Sequence, residues 1–84
     1  MPQTHMLLLM RRFPYLEKAI EDRFLECPEF RALCADFVDA VKALEHQEDS
    51  IEPRALQRIA EYRKLVGDLE AELLVEIYRG ARRN

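Results

Sequence analysis

The sequence predicts an all-α protein in which a short helix precedes a long antiparallel pair of helices. Three observations support this prediction. Apolar residues recur at helical spacing, single prolines stand where helices would begin, and no run alternates with the period of two that strands require. The chain has 84 residues, of which 49% are apolar and 35% are charged. This composition favours one folded domain over residues 1–84, rather than a disordered or membrane-embedded chain.

Three prolines predict the helix starts, because proline in the first helical turn loses no hydrogen bond and fixes φ. They are Pro14, Pro28 and Pro53. The residue before each proline is biased away from helical geometry, which separates the helices. We therefore predict three helices, over residues 14–26, 28–48 and 53–81. Residues 1–12 precede them, and we interpret this segment as either a flexible tail or an interaction arm.

The second and third predicted helices have apolar seams with near-heptad spacing. The second seam consists of Phe30, Cys34, Phe37, Val41 and Leu44, and the third of Ile59, Tyr62, Val66, Leu69, Leu73 and Ile77. The connection between them is short and polar except for Ile51, which predicts that the two helices are antiparallel neighbours. Charge favours the same pairing, because residues 28–53 have a net charge of −5 and residues 54–84 a net charge of +2.

The order of these features resembles a known family. Phe13-Pro14-Tyr15 opens the first helix, Cys27-Pro28-Glu29-Phe30 opens the second, and a polar loop leads to Glu61-Tyr62-Arg63-Lys64-Leu65 and Leu69-Glu70-Ala71-Glu72-Leu73. Over roughly residues 13–79 this pattern is similar to the YdcH-like family, small bacterial proteins of unknown function with a helical hairpin. The resemblance implies a fold and brings no catalytic residue with it.

Several classes of function are disfavoured by composition. The net charge of −3 and the absence of a basic face argue against nucleic-acid binding. The apolar run Met6–Met10 is too short for a membrane span or the core of a signal peptide. Cys27 and Cys34 lie too far apart along a helix for a disulfide, so two free thiols favour a reducing compartment, the cytoplasm. We expect no cofactor, because no nucleotide or metal motif is present.

Histidine and cysteine residues support one alternative function, a redox- or metal-responsive regulator that uses Cys27 and the turn at His46. A helix N-terminus can increase the reactivity of a thiol such as that of Cys27. Against this, one nitrogen donor does not make a metal site, so we favour a solvated turn at His46. His5 is weaker still as a ligand. Cys34 lies on an apolar face, where a free cysteine usually packs as a small hydrophobic residue.

Other features of the last predicted helix have structural and functional interpretations. Asp68, Glu72 and Glu76 form an acidic stripe that either faces solvent or meets a basic surface on a partner or sister subunit. Gly67 stands in mid-helix, where glycine costs roughly 1 kcal/mol relative to alanine, so we expect a close helix approach or a bend there. Three arginines near the C-terminus complement the helix dipole, and a phosphate or membrane role for them is the weaker alternative. They are Arg79, Arg82 and Arg83.

The leading functional hypothesis is a non-enzymatic interaction module that self-associates as a homodimer, with a scaffolding, adaptor or chaperone-like role. A chain this small buries little apolar surface by itself, and two hairpins packed seam to seam would bury more. The five consecutive apolar residues Met6–Met10 cannot all face one side of a helix, so some are expected at a contact surface. The predicted contact residues are Met6, Leu8, Leu9, Leu65, Leu69 and Leu73.

Overall fold

The computed structural model describes residues 2–81, with side chains described for residues 6–80, and it is all-α. Four α-helices and one 3₁₀ turn follow one another, and no strand occurs within residues 2–81. The helices are α1 (Pro2–Arg12), α2 (Glu17–Glu26), α3 (Pro28–Glu48) and α4 (Ala55–Ala81), and the 3₁₀ turn is Pro14–Leu16. The all-α prediction is confirmed, and the predicted number of helices is corrected from three to four.

Helix α1 is the element that the sequence analysis did not predict. Residues 2–12, interpreted above as a flexible tail or an arm, form this helix, and it packs on α3 and α2. Leu9 and Met10 are buried in the common core, as is Phe13 directly after the helix. Arg12 adds an ion pair with Glu70 of α4, with 3.1 Å between Nε and Oε1. The segment is therefore a structural part of the domain.

The prolines mark the helix starts with different accuracy. Cys27, before Pro28, has an extended backbone (φ −128°, ψ 108°), and α3 begins at Pro28 as predicted. Pro14 begins a 3₁₀ turn, so regular α-helix starts only at Glu17. Pro53 lies in the turn before α4, which begins two residues later at Ala55. A proline therefore predicts the neighbourhood of a helix start more closely than the first residue.

The core lies where α3 and α4 pack along their length and α1 and α2 cover one side of them. Chain direction reverses between the two long helices. Glu48 at the end of α3 pairs with Arg63 early in α4, whereas Phe30 at the start of α3 lies beside Val75 late in α4. The largest fully buried side chains are Leu9, Ile20, Phe30, Cys34, Leu73 and Ile77. The described part of the molecule is elongated, with extents of 50 × 22 × 22 Å.

Candidate interaction surfaces

One side of the α3–α4 pair has two depressions that follow one another along the helices, and residues of these two helices line both of them. Its residues on α3 are Glu29, Leu33, Asp36, Ala40 and Ala43, and its residues on α4 are Tyr62, Leu65, Leu69, Glu72 and Glu76. On each helix these positions are three or four apart, so they form one line along the helix. Phe30, Asp39, Ala71 and Val75 widen the same surface. We call this surface the acidic groove.

The floor of the acidic groove is apolar and its rim is negatively charged. Its carboxylates are Glu29, Asp36, Asp39, Glu72 and Glu76, and none of the described lysines or arginines lines it. Glu29 accepts a hydrogen bond from its own backbone N–H, and this bond, with a second from the Cys27 thiol, lowers the pKa of the Glu29 carboxyl. Asp36, Asp39 and Glu72 form no ion pair with any residue that the structure describes. The rim therefore has three carboxylates that are not paired with a cation of the described residues.

A second exposed surface lies on the other side of α3. Leu7, Leu8 and Arg11 share the outer side of α1, and all three are exposed. Leu8 and Arg12 face Val38, Val41 and Lys42 of α3 across a shallow cleft that Glu45 also lines. Val38 and Asp36 are two positions apart on α3, which puts them about 160° apart around its axis. This surface, which we call the α1 face, therefore points away from the acidic groove.

The α1 face is apolar with a basic edge. Helix α1 contains two arginines and no acidic residue. Arg12 is already paired with Glu70, and its guanidinium lies over the Phe37 ring, 5.4 Å from the ring centroid. Arg11 and Lys42 make no ion pair with another residue in the described range. Glu17 and Glu45 lie at the edges of this face and partly offset its positive charge.

The predicted contact residues divide between the core and these two surfaces. Leu9 and Leu73 are fully buried in the core of this chain, so they are not available for contact with a second protein. The other four remain at least partly exposed, but they do not form one patch. Met6 and Leu8 lie on α1, whereas Leu65 and Leu69 lie in the acidic groove. A contact between two identical surfaces would therefore include only two of these four residues.

Arg23 is a buried charged residue that the sequence analysis missed. Its side chain is 6% exposed, and its Nη2 donates a hydrogen bond to Oε2 of Glu76 at 2.8 Å. This hydrogen bond raises the pKa of the Arg23 guanidinium. Glu76 also pairs with Arg79 at 3.0 Å, so this member of the predicted acidic stripe is partly neutralised inside the chain. Arg23 follows Ile20 by three positions and so lies on the apolar side of α2. That position in the sequence could have predicted that Arg23 is buried.

The remaining members of the stripe have separate environments. Asp68 pairs with Lys64 one turn earlier, at 3.1 Å between Oδ2 and Nζ. Glu72 lies on the rim of the acidic groove. The stripe is therefore not a uniform acidic surface, because Asp68 and Glu76 have cationic partners and Glu72 has none among the described residues.

The close approach predicted at Gly67 is absent, and the glycine of α4 that has a close neighbour is Gly80, beside the Arg23 side chain of α2. A Cβ atom added at Gly67 would meet nothing within 4 Å, whereas one at Gly80 would lie 2.8 Å from Cδ of Arg23. Gly80 thus leaves the space that the Arg23 side chain occupies. The side chains of His5, considered above as a ligand, and of Arg82 and Arg83, considered above for the helix dipole, lie outside the described residues.

The structure does not bring together the residues of the regulator hypothesis. Cys27 precedes the first turn of α3 and His46 lies in its last turn, which puts them about 28 Å apart along the axis. The Cys27 thiol donates a hydrogen bond to Oε2 of Glu29 at 3.3 Å. Cys34 is fully buried, and burial raises the pKa of its thiol to about 12. Within the described residues, no group of three or more His, Cys, Asp or Glu side chains is arranged to hold a metal ion.

Comparison with protein-family models, with curated proteins and with solved structures gives no match for this chain. The resemblance to the YdcH-like family therefore stays a prediction. None of the helices in the described part of the chain combines the length and apolar composition that crossing a bilayer requires. Proposals about function consequently rest on the surfaces described above.

Proposed function

We propose that this chain is a non-enzymatic interaction module that associates with further copies of itself, built on the α3–α4 helical hairpin. The observation that supports this proposal is the amount of apolar surface left after the four helices have packed. In the acidic groove Leu65 is 43% exposed and Val75 is 55% exposed, and on α1 Leu7 is 56% exposed. Apolar side chains grouped on a surface, rather than scattered singly, usually mark an interaction site.

The small size of the domain supports the same proposal. A chain of 84 residues buries roughly 60–65% of its unfolded surface, so covering further apolar area by association adds usefully to a marginal stability. A dimer is the smallest assembly that achieves this, and scaffolding, adaptor or chaperone-like roles are all compatible with it. Membership of the YdcH-like family would fit the helical hairpin and is proposed on the sequence pattern alone.

Size-exclusion chromatography with light scattering tests the proposal. Over a concentration series through the micromolar range, we expect the mass to rise above the 9.9 kDa of one chain. Far-ultraviolet circular dichroism at each concentration verifies that the helices are intact. A constant mass of 9.9 kDa across the series would show that the chain does not self-associate.

A further inference from the structure

The two exposed surfaces differ in charge, and this difference constrains how copies can associate. The acidic groove is lined by five carboxylates, of which Glu76 is paired with Arg23 and Arg79, and by no basic side chain of the described residues. If two copies met groove to groove, the rim carboxylates of one copy, among them Asp36, Asp39 and Glu72, would approach the rim carboxylates of the other. Like charges that are brought together and desolvated oppose association. The seam-to-seam dimer is therefore electrostatically disfavoured through this surface.

The α1 face is complementary to the acidic groove, because it combines exposed apolar side chains with positive charge. Leu7 and Leu8 supply exposed apolar side chains, and Arg11, one turn from Leu7, supplies a positive charge that forms no ion pair within the described residues, although Glu17 lies at the same edge. The lengths of helix α1 and of the acidic groove are also compatible. Helix α1 has 11 residues and is about 16 Å long, whereas the groove follows α3 from Glu29 to Ala43 over about 21 Å.

We propose that the α1 face of one copy docks in the acidic groove of a second copy, with Leu7 and Leu8 against the apolar floor and Arg11 beside the rim carboxylates. This inference rests on the proposed self-association and specifies its geometry. Because the two surfaces point in different directions, the contact is heterologous, and each copy keeps one unused surface. Such contacts extend into a chain of subunits or close into a ring.

Two single substitutions block the two surfaces separately. Leu65→Glu puts a further carboxylate in the groove, and Leu7→Glu puts one on α1. Both leucines are exposed and glutamate is a good helix former, so the fold is expected to persist. Each variant alone should lose self-association, with affinity reduced about tenfold or more. The matched control is Leu56→Glu, at an α4 leucine that is 79% exposed and outside both surfaces, which should associate like the wild type.

The decisive experiment mixes the two blocked variants. The Leu65→Glu chain has an intact α1 face, and the Leu7→Glu chain has an intact groove. Head-to-tail docking therefore predicts a 1:1 complex with twice the mass of one chain and no larger species. The opposite contact, between the two altered surfaces, would bring both introduced carboxylates together, so it does not contribute to this complex. Isotope-labelling one variant lets native mass spectrometry verify the composition.

Each other outcome contradicts the inference in a distinguishable way. If the Leu7→Glu chain alone still associated, the contact would be groove to groove, and if the Leu65→Glu chain alone did so, it would be α1 to α1. A wild type that associates, with a mixture that remains monomeric, would overturn the head-to-tail geometry while leaving the proposed function intact. A monomeric wild type would overturn both, and a basic amphipathic helix from a different protein would then be the occupant to test.

Discussion

Arg23 of α2 and Glu76 of α4 form a hydrogen-bonded ion pair of 2.8 Å that fastens the second helix to the fourth. The Nε atom of Arg23 is buried and has no hydrogen-bond partner within the described residues, so Glu76 supplies most of the compensation for burying this charge. A buried cation that loses its carboxylate is left without compensation, which costs more than an exposed ion pair contributes.

We expect Glu76→Ala to lower the free energy of unfolding by about 2–3 kcal/mol, because it leaves the Arg23 guanidinium buried and unpaired. Arg79→Ala is the matched control. It also removes an ion pair with Glu76, but its side chain is 61% exposed, so its loss should be about 0.5 kcal/mol or less. Urea denaturation followed by circular dichroism measures both values. Equal losses for the two variants would show that the Arg23 pair is no stronger than a surface pair.

The two glycines of α4 should respond in opposite directions to alanine. Gly67→Ala should raise the free energy of unfolding by roughly 0.5–1 kcal/mol, because the added Cβ meets nothing within 4 Å and alanine favours the helix. Gly80→Ala should lower it by about 1 kcal/mol, because the Cβ would lie 2.8 Å from Cδ of Arg23, whose guanidinium is held by Glu76. Thermal and urea denaturation test the signs. Stabilisation by Gly80→Ala would mean that Arg23 moves aside freely.

Stability should fall above pH 9 because of Cys34. Burial raises the pKa of this thiol from an ordinary value of 9.0 to about 12. Below pH 9 the thiol is protonated in both folded and unfolded chains, so Cys34 does not make the free energy of unfolding depend on pH. Between pH 9 and 12 the unfolded chain releases the proton while the folded chain retains it, so the free energy of unfolding decreases with pH, by at most about 1.4 kcal/mol per pH unit.

Cys34→Ala isolates this effect from the titration of other groups. Below about pH 9 the variant is less stable because a small cavity replaces the thiol, but its stability should decrease less steeply between about pH 8 and about pH 10 than that of the wild type. The measurement is the free energy of unfolding in urea at the two pH values, under reducing conditions. Parallel pH profiles for both proteins would contradict a raised pKa at Cys34.

Helix α1 should contribute to stability as a core element. Leu9→Ala removes a fully buried side chain, and we expect a loss of about 3 kcal/mol in the free energy of unfolding. Leu7→Ala, in the same helix but on its exposed side, should change stability by about 0.5 kcal/mol or less. Denaturation is measured at a concentration low enough to keep the chain monomeric. Similar small effects at both positions would indicate that α1 is not packed on the domain.

Association should weaken as salt is added. Raising NaCl from about 0.05 M to about 0.5 M shortens the Debye length from roughly 14 Å to roughly 4 Å, which screens the attraction between Arg11 and the groove rim. The double variant Asp36→Asn with Asp39→Asn should associate less tightly at low salt and should show a smaller salt dependence. Analytical ultracentrifugation gives the dissociation constants. Tighter wild-type association at high salt would instead favour a contact between like-charged surfaces.

The sequence predicted the parts of the fold that a local signal specifies. Pro28 and the seam from Phe30 to Leu44 place α3 correctly, since first-turn proline and heptad spacing act within one helix. Helix α1 escaped detection because Met6–Met10 is apolar on every side of a helix, so its periodicity did not show which residues face the core. Leu9 and Leu7 have the same chemistry, and only tertiary packing makes one buried and the other exposed.

The candidate surfaces were predicted less completely, for a related reason. Leu65 and Leu69 were predicted as contact residues and are at least partly exposed, yet the groove that contains them requires Asp36 and Asp39 from another helix. Those carboxylates are far from Leu65 in the chain, so their proximity depends on the register of α3 against α4. Arg23 was missed because a charge on an apolar helix side is normally read as a surface residue, and its partner Glu76 is distant in sequence.

Arg12 contacts both long helices at once, through its ion pair with Glu70 of α4 and its position over the Phe37 ring of α3. Helix α1 is thereby held at a fixed angle to the groove on the opposite side. In an assembly of docked copies, that angle would set the rotation from each subunit to the next, because every contact joins α1 of one copy to the acidic groove of the next. Removing these contacts of Arg12 would thus change the curvature of the assembly more than the affinity of any single contact between copies.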